Sequence, residues 1–245
     1  MAESPVLSSN EAPEPPSAAG PPRQRRLVAL GLVLSVSLTH FIVVAFYYLF
    51  HPEGPLDRYR TQLGVVVALI AELTSLLVLW FVLTEHKRKW REIGWQPRWM
   101  DVPHGVVLIL ASGGAARLVT LIVQGSFLRH TGHYLQPRSV HGVIGAGISL
   151  FTIVFVFVNP LFEELIVRGY TMSEVMALGG SRYLAIFISV LLQMSYHVYQ
   201  GLLRGVGLTA VFLVFSVYFS KERRIIPVVI AHFWSDGAAL IRTAF

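Results

Sequence analysis

Residues 159–170 read NPLFEELIVRGY and place two adjacent glutamates and an arginine at the end of a long apolar run. A charge at mid-bilayer costs about 2.5–3.5 kcal/mol on insertion scales, so ionisable residues kept inside a span are treated first as functional candidates. Asn159 and Pro160 interrupt the chain just before the acids. On a helix, residues four apart share a face, whereas neighbours point about 100° apart. The spacing therefore predicts an ion pair between Glu164 and Arg168. It turns Glu163 to another face and leaves it available.

The rest of the chain has a matching composition. Of its 245 residues, 54% are hydrophobic and 14% charged, with a mean hydropathy of +0.59. Soluble domains carry about 25% charged residues, so the composition is that of a membrane protein. The net charge of +6 is explained by basic loops. No basic stripe interleaves with aromatics, and a nucleic-acid partner is not expected. The sequence has no cysteine, which excludes thiolate catalysis, disulfides and Cys-ligated zinc.

A spanning helix needs about 20 mostly apolar residues. Seven segments qualify: 27–50, 62–84, 102–124, 142–162, 183–200, 203–220 and 225–243. The fold expected is all-α, a polytopic transmembrane helix bundle of about seven spans. Residues 1–26, rich in Pro, Ala, Ser and Glu, read as a disordered cytoplasmic tail. Residues 27–139 read as N-terminal transmembrane helices, with a basic, tryptophan-bearing interfacial segment at 85–99. Residues 140–245 form the core that carries the polar constellation. With the tail inside, thirteen Lys and Arg lie on its side and six on the other. That bias predicts a cytoplasmic N-terminus, and the Pro/Ala-rich tail and compact size suit a bacterial plasma membrane, with membrane lipid as the surrounding partner.

Six polar residues of the last third carry the chemistry: Glu163, Glu164, Arg168, His197, His232 and Asp236. His232 and Asp236 lie four apart on the last span. Gly179, Gly180 and Ser181 predict a turn with Ser181 as helix cap. Glu163 lies seventeen residues before Gly180 and His197 seventeen after it, which in an antiparallel hairpin sets them at matching height. If that hairpin projects beyond the membrane, the site lies within the bilayer toward the cytoplasmic face. Imidazoles converging with carboxylates suit two chemistries. Glu163, His197, His232 and Asp236 could ligate Zn2+ or another divalent ion that activates water. Alternatively Glu163 deprotonates water directly while the histidines position it and stabilise an oxyanion.

The trio EELIVR, His197 and the segment HFWSD together resemble the CPBP family of intramembrane proteases, also called the Abi or CAAX-protease family. Its motifs run Glu-Glu-x-x-x-Arg, Phe-x-x-x-His and His-x-x-x-Asn or Asp, in this order. The resemblance covers about residues 140–240, and RGY after the glutamates adds to it. Gln193 departs from it, standing where the family usually has Phe. The resemblance implies that Glu163 activates water with help from His197, supported by Glu164 and Arg168. It assigns His232 and Asp236 to the oxyanion or to metal. An Asp at 236 favours the metal reading somewhat, since a carboxylate ligates readily but donates a hydrogen bond only when protonated.

The expectation is thus an intramembrane endopeptidase, possible metal dependence included, acting on a membrane-associated protein or peptide. Two alternatives use other features. A non-catalytic immunity or partner-stabilising factor could keep the same scaffold with the acids as structural ion pairs. A proton-coupled transporter would use Glu72, His40 and Arg117, with Arg117 meeting Glu72. His130, His133 and His141 in an external loop lack a nearby carboxylate to complete a metal site.

Overall fold

The computed structural model describes residues 21–51, 62–135 and 148–244. Most of the expected tail, His141, and the basic residues Arg58, Arg60 and Arg138 lie outside these ranges. Among the described residues eight α-helices follow in order: α1 (Arg23–Phe50), α2 (Gln62–Glu85), α3 (Asp101–Thr131), α4 (Leu150–Glu163), α5 (Thr171–Ala177), α6 (Arg182–Ser195), α7 (Gly201–Glu222) and α8 (Ile226–Ala244). A π-helix, Glu164–Tyr170, joins α4 to α5 without a break, so Leu150–Ala177 is one continuous rod. Counting that rod once gives seven helical segments. Five are long and apolar enough to cross a membrane; Arg182–Ser195 and Ile226–Ile241 are shorter apolar helices. The chain is a helical integral membrane protein.

The rod differs from the expected 142–162 span because the acids do not end the helix. Pro160 within α4 removes one backbone donor, and the chain answers by winding more widely rather than by breaking. Thr171 Oγ1 donates to the Ile166 carbonyl five residues back, at 2.8 Å, a reach suited to the π geometry. Residues 162–175 are buried without interruption. In the most apolar window of this rod 56% of residues are buried, against 11% in α3. The rod is the hub, and α3 presents most of its surface outward.

Packing is pairwise around that hub. α2 lies against α1 and α4, α3 against α7 and α8, α6 against α5 and α7. The predicted turn forms: Gly179 takes φ +94°, and Ser181 Oγ accepts from the Leu184 amide at 3.1 Å, satisfying one orphan donor of α6. A second break falls between α6 and α7, where a 3-10 turn at Val198–Gln200 meets Gly201 at φ +79°.

One end of the bundle is tied by ion pairs. Glu174 of α5, nearly inaccessible, pairs with Arg26 of α1 at 2.9 Å and with Arg88, just past α2. Arg223, past α7, donates to Ser173 Oγ at 2.7 Å and to the Glu92 carbonyl at 3.3 Å. Arg224 pairs with Asp101 of α3 at 2.5 Å. The basic segment expected at the interface is part of this tie. Its short 3-10 turn, Trp90–Ile93, buries Ile93 completely, while Trp99 stays 81% exposed. A Cβ at Gly169 would come within 2.9 Å of the Ile93 carbonyl, so only glycine lets the loop sit against the π-helix.

Candidate active site

Glu163 and Glu164 sit where α4 passes into the π-helix, and the wider turn brings both toward the same imidazole. Glu164 is inaccessible and pairs with Arg168, also inaccessible. The Arg168 guanidinium lies over the rings of Phe212 and Phe215, with centroids 5.6 and 5.3 Å away. This favourable seat supplements the ion pair. On its other oxygen, Glu164 accepts from His232 Nδ1 at 2.7 Å. The predicted Glu164–Arg168 pair is therefore present, and Glu164 also orients the histidine of α8.

Glu163 does not face away from this group. Its Oε2 lies 4.0 Å from His232 Nε2, so the two glutamates flank the two ring nitrogens. That distance is too long for a direct hydrogen bond. Asp236 Oδ1 lies 3.7 Å from the same Nε2. Asn159, one turn before Glu163, holds Asp236 through Nδ2 at 3.1 Å. His232 thus has Nδ1 committed and Nε2 turned toward two carboxylates at more than hydrogen-bond distance.

His197 occupies a different place from the one its register predicts. The residue of α6 that reaches Glu163 is Gln193, whose Nε2 donates to Oε2 at 2.7 Å. His197 falls one turn later, past the end of α6, where Nδ1 meets the Gln193 carbonyl at 2.8 Å. A carbonyl oxygen only accepts, so this nitrogen carries the proton and Nε2 is left as an acceptor. The His197 ring packs against Tyr196 and Phe212, with centroids 4.7 and 5.2 Å away. Because α6 stops at Ser195, the matching-height argument brings Gln193, and not His197, beside the acid.

Sequence reading missed three members of this group. By sequence Asn159 is only an interruption, although a polar residue four before an acid on an apolar helix shares its face. Gln193 was taken as a departure from the family pattern, although a buried amide four before a histidine signals a hydrogen-bonded interior. Glu72 was given to a transport pathway with Arg117. In the structure Glu72 is fully buried on α2, and among the described residues neither of its oxygens has a hydrogen-bond partner. Arg117 is exposed on α3, and α3 packs on α7 and α8 rather than on α2, so that pair does not form.

The expected metal ligands can be tested on this geometry. Among the described residues no three His, Asp or Glu side chains converge as a metal-holding group. Glu163 is engaged by the Gln193 amide and His232 by Glu164, while His197 is bonded to a backbone carbonyl. The four residues as arranged do not fit a preformed zinc site. His130 and His133 are exposed at the end of α3, and His130 is bonded to the Ser126 carbonyl at 2.7 Å.

Fold and site together define a helical integral membrane protein with a buried acid–imidazole cluster among its spans. Residues 145–238 match the family model described as Rce1-like, type II CAAX prenyl endopeptidase, so this part of the chain is similar to the CAAX-protease family that the sequence motifs resemble. No curated protein and no solved structure gives a match.

Proposed function

We propose that the protein is an intramembrane endopeptidase in which Glu163 activates the water that attacks a peptide bond, near the cytoplasmic face. The observation that carries this reading is the pairing of Glu163 and His232 Nε2 across 4.0 Å in a buried setting, with Glu164 holding the opposite ring nitrogen. Glu164 is neutralised by Arg168 and serves as an orienting group. Among the described residues Glu163 has no guanidinium partner and meets His232 only at 4.0 Å, so its basicity is available for a proton from water.

The division of roles follows from the hydrogen bonds. Gln193 fixes one Glu163 oxygen, which limits the directions from which a water can be held. His197, protonated at Nδ1, offers Nε2 as a second acceptor for that water. His232 acts as an imidazolium: one N–H is donated from Nδ1 to Glu164, and the second, on Nε2, is the donor for the carbonyl oxygen as charge develops on it. Asn159 keeps Asp236 beside that nitrogen. As water adds to the carbonyl carbon its proton passes to Glu163. When the C–N bond breaks, that proton leaves with the amine.

The description of the matching family makes a prenylated C-terminal peptide the first substrate to try. Membrane-bound regulators and bacteriocin-like leaders are the next classes. The decisive experiment is cleavage of a farnesylated CAAX-type peptide by the purified protein in detergent, followed by mass spectrometry. Wild type should release the C-terminal fragment and Glu163→Gln should not. Equal release by both would sink the assignment. Absence of cleavage for all three substrate classes would favour the non-catalytic scaffold.

A further inference from the structure

We infer that the cleft between the start of α1 and the end of α2 holds one phospholipid whose headgroup joins a phosphate to a primary ammonium, as in phosphatidylethanolamine. The cleft encloses about 630 Å3, within the about 300–1,000 Å3 of sites that take a small molecule. Its lining is ordered along the two helices. Arg25, in the first turn of α1, and Glu85 and His86, at the end of α2, line its outer part. Val28, Leu32 and Phe81 line it one or two turns further in, and all three are exposed. α1 has 28 residues, which makes it about 42 Å long against a hydrocarbon core about 30 Å thick. Its polar residues are at the start, in the run RQRR, so the excess length belongs to that end. The outer part of the cleft therefore lies at headgroup depth, and the inner part opens toward the lipid tails.

Two charges of the lining select the occupant. Arg26 and Arg88, beside the cleft, are spent on Glu174. Among the described residues Arg25 and Glu85 form no salt bridge. Partial burial and the neighbouring Arg88 lower the His86 imidazole from its usual range, so it is neutral near pH 7 and adds no charge. The exposed Arg23, Lys87 and Lys89 lie outside the lining. The cleft thus offers one guanidinium and one carboxylate. A phosphate pairs with the guanidinium through parallel N–H···O bonds. The carboxylate repels a headgroup of net negative charge but accepts from an ammonium on the same headgroup. A quaternary ammonium has no N–H to donate, and a glycerol headgroup carries no cation. Charge complementarity therefore points to the primary amine, with the acyl chain lying along Val28, Leu32 and Phe81.

The test is retention of lipid by the full chain, read by native mass spectrometry after mixing with equal amounts of phosphatidylethanolamine, phosphatidylglycerol and phosphatidylcholine in detergent. Wild type should carry phosphatidylethanolamine about threefold or more over each of the others. Glu85→Gln should lower its ratio to phosphatidylglycerol about threefold, the scale of an exposed ion pair. Arg25→Gln should lower retention of all three lipids, since each brings a phosphate. Glu222, an exposed acid at the end of α7 and outside the cleft, supplies the control. Glu222→Gln should leave the ratio unchanged. Equal retention of the three lipids by wild type overturns the proposal, as does a preference for phosphatidylglycerol, which would make the cleft a site for anionic lipid. A ratio that Glu85→Gln leaves alone, or that Glu222→Gln shifts as far, overturns it too. Binding is read without turnover, so the outcome is independent of whether Glu163 is the base.

Discussion

Two buried charge clusters lie along the same rod, and they are solved in opposite ways. At the end marked by Glu174, arginines outnumber the acids they meet: Arg26 and Arg88 share one carboxylate, and Arg223 reaches in from α7. Further along, Glu163, Glu164 and Asp236 gather about one guanidinium, Arg168, and the imidazole of His232, while Glu72 is buried on the neighbouring α2. A cluster with its acids fully matched has finished its work once the helices are tied. One with surplus acceptors still needs protons, water or substrate to complete it. The difference teaches that number and pairing, and not burial alone, separate the tie from the site.

That contrast can be broken by substitution. The largest effect should come from Glu163→Gln, which should lower the cleavage rate about a thousandfold, the scale of general-base catalysis, while the thermal unfolding midpoint in detergent barely moves. An unfolding shift without a rate effect would make Glu163 another structural acid. Next, Arg168→Met should cost about 3–5 kcal/mol of stability by leaving Glu164 charged with only the His232 N–H against it. Adding Glu164→Gln should restore most of it, and a chemical-denaturation cycle reads both. Asn159→Ala should reduce the rate roughly tenfold with little change in stability, since Asp236 loses a donor worth about 1–1.5 kcal/mol; a KM effect alone would place Asn159 in binding instead. At the tied end, Glu174→Gln should lower stability by about 1–2 kcal/mol, with the arginines partly solvated, and leave the rate constant for bound substrate unaltered. The smallest effect expected is that of a chelator. Cleavage should stay within about twofold after dialysis against it, and loss restored by Zn2+ would reinstate the metal reading.

Much of the fold was legible because lipid acts as a uniform solvent: a run of apolar residues long enough to cross it announces itself. The pairs four apart, Glu164 with Arg168 and His232 with Asp236, were legible for a similar reason, since helical periodicity is local. The partners across helices were not. Register counted from Gly180 assumed a helix continuing through His197, but α6 ends at Ser195 and Gln193 takes the contact. Glu163 and Glu164 seemed to diverge because the reading assumed 3.6 residues per turn, whereas a π-helix begins between them. Glu72 lies far away in sequence, and nothing local connects α2 to α4. Its placement is a property of packing alone.

The glycine at 169 ties these scales together. Its missing side chain is what allows the Ile93 carbonyl to rest on the wide turn that holds Glu164 and Arg168. The loop that presents Trp99 to the surroundings is thereby braced against the machinery at mid-span. Alanine at position 169 would push that loop and the wide turn apart, so the interior is open to disturbance from its rim.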